Sequence, residues 1–153
     1  MKQVLASVLC LLPYFASASE VEGKAIICLE EVDPSSELNP EMYPTERVYR
    51  GFKFVEDHKV EGYILRHDDN VSQIHQFGHD RGRRYEYAGV IDFWSDWSLD
   101  RKTLVLSVNF SSGNKDEYSC EVFSNFDDYE AAFENYRKQE QKAINQMMEG
   151  NRI

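Results

Sequence analysis

Two cysteines constrain this chain more than any other feature. Residues 1–18 read as an export signal: Lys2, an apolar run from Val4 to Phe15, then Ala16-Ser17-Ala18 as a small-residue cleavage box. Cleavage is expected after Ala18, which removes Cys10 and leaves Cys28 and Cys120. In an oxidising compartment such a pair is most simply a disulfide, the alternative being two reduced, buried thiols. Closing a loop of about 90 residues would contribute about 4–5 kcal/mol on the chain-entropy model, less any strain in the bond. It would also hold the two Cα atoms within about 7 Å, tying the start of the mature chain to a segment near its end.

Cys120 belongs to the clearest hairpin. Over residues 103–110, Leu104, Leu106, Val108 and Phe110 alternate with Val105, Ser107 and Asn109, the period of a strand with one buried face. Ser111, Ser112, Gly113 and Asn114 supply a turn, and residues 117–123 alternate again with Tyr118, Cys120 and Val122 on one face. Further strands are expected at 23–29, 48–55, 59–66, 71–77, 84–88 and 90–94. Turns fall at Glu56-Asp57-His58 and Asp68-Asp69-Asn70, and Gly78 opens a polar run through Arg83. Residues 30–47, with Pro34, Pro40 and Pro44, read as a long irregular loop. The fold class is therefore mainly β, an antiparallel meander of about 7–9 strands. A Cys28–Cys120 bond would bring its first and last strands together, which an open sheet would hold apart, so the sheet is expected to be rolled or closed, barrel-like.

After residue 124 the period changes. Phe126, Tyr129, Phe133 and Tyr136 recur at spacings of three and four, which predicts a C-terminal helix over 125–149. Ser124 stands in the cap position with Asp127 as its capping-box partner. Residues 137–142 are polar all round, and Ala143, Ile144, Met147 and Met148 resume the stripe only briefly. The first half of the helix is expected to dock on the β-domain (19–124) and the second half to project. Truncation after Lys142 should then cost less than about 1 kcal/mol.

Charge narrows the function. Lys2 is the only charged residue of the signal, so the 17 Lys and Arg become 16 against 27 Asp and Glu, a net charge of −11 for the mature chain. Such a surface repels phosphate backbones and anionic lipid, which argues against nucleic-acid partners and electrostatic membrane docking. No later apolar run approaches the length of a membrane span, so the mature protein is expected to be periplasmic or secreted. The spacings of nucleophile elbows, zinc proteases, phosphate-binding loops and dinucleotide folds are absent, and no cofactor is implied. Close carboxylate pairs are inevitable among 27 acidic residues and point to nothing by themselves.

Two constellations deserve a structural test. His67, His75 and His79 lie close in sequence to Asp68, Asp69 and Asp80 and could be imagined as a metal site. If Asp69-Asn70 forms a two-residue turn, however, Ser72 pairs with His67 and His75 pairs with Ile64. The two histidines then face opposite ways, and no metal is expected. The second constellation is aromatic: Trp94 and Trp97 flank Asp96, with Tyr85 and Tyr87 nearby. These four form the candidate ligand or partner surface, although such residues more often fill a small β-core. The basic run from His79 to Arg84 could contact an anionic partner but reads more simply as a solvated turn.

The blocks EGKAIIC (22–28), GFKF (51–54), WSLDRKTLVL (97–106) and YSCEV (118–122) together resemble a family of small exported proteins from environmental bacteria. The likeness covers residues 22–123 and implies no activity, ligand or catalytic residue. The function expected from the residues is a non-catalytic exported module that binds another exported protein through its aromatic surface or its helix. The alternative is a β-barrel holding a small apolar or aromatic ligand, with a hydrolase third. An interior filled by side chains, or one enclosing a cavity, separates the first two.

Overall fold

Two pairs of consecutive left-handed residues turn the chain back on itself. Asp57 and His58 take φ of 59° and 54°, and Asp69 and Asn70 take 51° and 65°. Asp69 and Asn70 make a two-residue hairpin turn between the paired Asp68 and Val71, of the kind that follows the natural twist of the strands, while Asp57 and His58 belong to a three-residue loop between the paired Val55 and Lys59. Asp and Asn tolerate them because their short polar side chains bond locally.

The computed structural model describes residues 20–31, 45, 47–87, 89–94, 96–113 and 115–150, with backbone only at 31 and 78–81. The expected signal (1–18) lies outside the described residues, as does nearly all of the proline-bearing loop. The elements are β1 (Ala25–Glu31), β2 (Arg47–Val55), β3 (Lys59–Asp68), β4 (Val71–Tyr87), β5 (Val90–Phe93), β6 (Trp97–Asp100), β7 (Val105–Asn109), β8 (Lys115–Phe123) and α1 (Phe126–Gly150). Each strand pairs antiparallel with the next, and β8 pairs with β1 to close an eight-stranded barrel. Cys28 and Cys120 stand directly opposite one another in that closing seam and are disulfide-bonded, with Cα atoms 4.0 Å apart.

Three local expectations need correction. The two strands expected at 71–77 and 84–88 are one, β4. Val60 pairs with Gly82 while Gly62 pairs with Phe77, so five steps of β4 pass two of β3 and the excess leaves the ladder as a bulge at 78–81. Residues 97–100, not expected as a strand, form β6 and carry Leu99 inward. Leu104, expected in a strand, has φ 56° and belongs to a turn. That turn is held by Asp100, whose Oδ1 accepts the N–H groups of Lys102 and Thr103 at 2.8 and 2.9 Å, while its carbonyl accepts the Leu104 N–H at 2.9 Å.

Side chains fill the barrel. Phe52 lies at its centre, with ring centroids of Phe93, Trp97, Trp94 and Phe77 at 5.1, 5.4, 5.8 and 5.9 Å. Eight strands enclose a space about wide enough for such a core. Trp94 fits because the wall beside it is glycine: a Cβ on Gly62 or Gly82 would run into the indole. Val21 closes the end where β1 begins, in the same cluster as Ile26, Phe54, Ile91 and Leu99.

The helix lies against the outer wall. Tyr129 and Phe133 pack with Ala25, Ile27, Tyr49 and Leu65, and a Cβ on Gly51 would meet both aromatic rings. The cap is Asn125 rather than Ser124. Its Oδ1 accepts the Asp128 N–H at 2.8 Å and its Nδ2 donates to Asp128 Oδ2 at 2.7 Å, so the capping pair sits one residue later than expected.

The second half of the helix does not project. Glu140 and Ile144 are 0% and 1% exposed. Gln141 accepts the Ser72 N–H at 2.8 Å and donates to the Asn70 carbonyl at 3.0 Å, and Arg137 donates to the Ser72 carbonyl at 3.2 Å. The polar side chains that argued for solvent are satisfying backbone groups of the β3–β4 hairpin. Ile144→Ala is accordingly expected to cost about 2–4 kcal/mol in urea melts. A loss below about 0.5 kcal/mol would return the tail to the independent status its polarity suggested.

Candidate ligand-binding site

Strand parity puts a charge inside the barrel. In β2, Val48, Phe52 and Phe54 point inward, and Arg50 shares their face, whereas Tyr49, Gly51 and Lys53 meet the helix side. The Arg50 guanidinium is 5.4 Å from the centroid of Trp97 and 5.5 Å from that of Tyr118, whose rings are stacked 6.4 Å apart. Such cation–π contact with two rings favours the cation's position once water is partly excluded.

Around this group the barrel mouth forms an open recess of about 430 Å³, lined by Arg50, Asp96, Trp97, Val108, Phe110 and Tyr118, with Asn109 and Ser111 at its rim. The Tyr118 hydroxyl lies within hydrogen-bonding reach of the Glu30 carboxyl and of Arg50. Burial pushes the Tyr118 pKa up to about 12, and burial likewise raises that of Glu30 above the usual carboxylate value. Arg50 Nε is buried and has no hydrogen-bond acceptor, and no ion pair within 4.0 Å is formed by Arg50 among the described residues. The recess is thus lined by a half-buried cation whose Nε is buried without a hydrogen-bond partner among the described residues.

Arg66 repeats the pattern. Arg50 pairs with Ile64 across the β2–β3 ladder, so Arg66, two positions further along β3, is its diagonal neighbour on the same inward face. Its Nε is also buried without an acceptor among the described residues. Neither arginine was singled out from the sequence, although a signal was there: each shares the parity of its strand's apolar core residues.

The four aromatic residues expected to make one surface do not sit together. Trp97 borders the recess, and Trp94 is inside the barrel against Phe77 and Phe93. Tyr85 and Tyr87 are 59% exposed on the outer wall, beside a shallow hollow shared with Asp57, His58 and Arg83. The basic run ending at Arg84 is not a solvated turn. The Arg84 side chain is fully buried and donates to Glu22, Glu86 and the carbonyls of Val55 and Lys59.

The histidine register matches the expectation, His67 with Ser72 and Ile64 with His75. His75 Nε2 is 3.0 Å from Asp68 on one face, while His67 is buried on the other, under the helix. There the Ser72 hydroxyl is 2.9 Å from His67 Nδ1, a contact resembling that of an activated nucleophile, but Ser72 is 1% exposed and hydrogen-bonded by the helix at both backbone groups. Glu140 completes this buried cluster. Arg47 Nη2 approaches its Oε1 at 3.0 Å without aiming an N–H along the line, and the Tyr49 hydroxyl is alongside.

Burial holds the His67 pKa below the usual histidine value, with Glu140 and Asp68 pulling it upward less strongly. Unfolded His67 therefore binds a proton more readily than folded His67, and stability is lost as pH falls below about 6.5. Melts at about pH 7.5 and about pH 5.5 are expected to show a smaller acid loss in His67→Gln than in the parent. Equal losses would remove His67 from that role.

Against protein-family models, curated proteins and solved structures, the chain gives no match.

Proposed function

We propose that this is an exported, non-catalytic β-barrel that binds a small ligand in the open recess at the Arg50 end. One observation carries the reading: Arg50, packed beside Trp97 and Tyr118, lines an accessible hollow, and its buried Nε has no hydrogen-bond partner among the described residues. Leaving such a group unpaired costs free energy that core packing alone would not require, and ligand sites characteristically combine apolar walls with a few placed polar groups. The filled interior argues for binding at the mouth and against a ligand swallowed by the barrel. Protein binding through a projecting helix loses its physical basis, because both halves of α1 are docked. Export is supported by the disulfide, by the character of residues 1–18 and by the likeness of residues 22–123 to an exported family. Among the described residues no helix is long and apolar enough to cross a membrane.

Nuclear magnetic resonance with a library of small aromatic and aliphatic fragments tests the site. The Trp97 indole N–H is expected to shift in a saturable way with at least one fragment, while that of Trp94, packed inside, stays nearly still. Saturable shifts confined to other regions, or none, would remove the recess as the site.

A further inference from the structure

Resting on the proposed binding reading, we infer that the ligand is a monocarboxylate on a flat apolar or aromatic body, with its carboxylate held by Arg50 and supported by Arg66. Both arginines turn inward at the same end of the barrel, and each keeps a buried Nε–H without an acceptor among the described residues. The Arg50 guanidinium lies beside the Trp97 and Tyr118 rings rather than between them, and it lines the open recess. Guanidinium N–H donors lie in one plane and suit a planar acceptor, the geometry a carboxylate meets with two parallel bonds. The body of the ligand would then lie along Trp97, Val108 and Phe110, and Phe110, 46% exposed, gains burial by covering it.

Charge selects among anions. The inward-facing Glu30 lies near Arg50, and Asp116, paired with Val108, and Asp96 stand close to the same hollow. A second negative charge on the ligand would be placed against these carboxyls, so a dianion such as phosphate is disfavoured relative to a monoanion. A neutral polyol would reach the rim groups Asn109 and Ser111 but bring no charge to the half-buried cation. Arg66 is outside the wall of the recess and contributes positive potential from its diagonal position.

The test titrates the disulfide-bonded protein with benzoate, benzamide and inorganic phosphate, following the Trp97 indole and Arg50 Nε–H resonances. Benzoate is expected to shift both, benzamide to bind at least about tenfold more weakly, and Arg50→Gln to weaken benzoate by a similar factor. Arg66→Gln is expected to weaken it about two- to fivefold. Equal binding of benzoate and benzamide at Trp97 would overturn the carboxylate inference and leave the site standing. Tighter binding of phosphate than of benzoate would overturn the monoanion. If neither aromatic probe moved Trp97, the recess itself would fall and the inference with it. Should Arg50→Gln fail to fold, Arg50→Lys serves: loss of the two-bond geometry is still expected to weaken benzoate relative to benzamide, and an unchanged ratio counts against the inference.

Discussion

Arg84→Met is expected to destabilise the protein by about 3–5 kcal/mol, because it removes one partner of a buried ionic cluster and strands the rest. The guanidinium donates to Glu22 at 3.1 Å, to Glu86 at 2.8 Å, and to the carbonyls of Val55 and Lys59 at 2.7 and 2.6 Å. Those acceptors come from the segment before β1, from β4 itself and from both arms of the β2–β3 turn. One side chain therefore ties together three parts of the barrel's closed end, with Phe54 packed beneath it. Methionine fills similar volume but satisfies none of the four. Lysine would keep the charge but has no planar fork to reach two carboxylates and two carbonyls at once, so Arg84→Lys is expected to recover less than half of the loss. Urea melts decide it, and a cost below about 1 kcal/mol for Arg84→Met would show that this end of the barrel is held by packing alone.

Removing the disulfide is the second large effect. Cys28 and Cys120 are 92 positions apart, and replacing both with alanine is expected to cost about 4–5 kcal/mol through the freedom returned to the unfolded chain. The folded barrel should nevertheless keep its seam, since β1 and β8 remain paired from Ala25–Phe123 to Leu29–Ser119. The expected signature is a lower urea midpoint with an unchanged β-sheet circular dichroism spectrum below it. A variant as stable as the parent would mean that the unfolded state already holds these segments close.

The two effects differ in how far each could be read beforehand. The cysteine pair needed only the expected export signal and a count. The β3–β4 register followed from Asp69-Asn70, and His67 and His75 fall where that turn puts them. Arg84 was misread because its neighbours His79, Asp80, Arg81 and Arg83 are polar or charged, and a polar run around Gly78 and Gly82 normally marks a turn. The strand continues there because a bulge absorbs the excess residues and a glycine at 82 lets the wall meet Trp94.

Helix α1 makes the same point from the other side. Its aromatic stripe forecast docking at Tyr129 and Phe133, and both are 2% exposed. Nothing in its own period could say that Arg137 and Gln141 would find backbone partners at Ser72 and Asn70, about 70 positions back.

The sequence by itself determined the β class, the two Asp-led turns, the stapled ends and the helix, because period, backbone preference and disulfide pairing act through a few residues or through simple connectivity. Tertiary structure alone decided which charges are buried and what they meet. Arg84 depends on acceptors from residues 22, 55, 59 and 86, and Arg50 on rings from residues 97 and 118. A charged side chain on an inward-facing strand position is stable only if such distant partners arrive, and their arrival is set by closure of the barrel rather than by any local pattern.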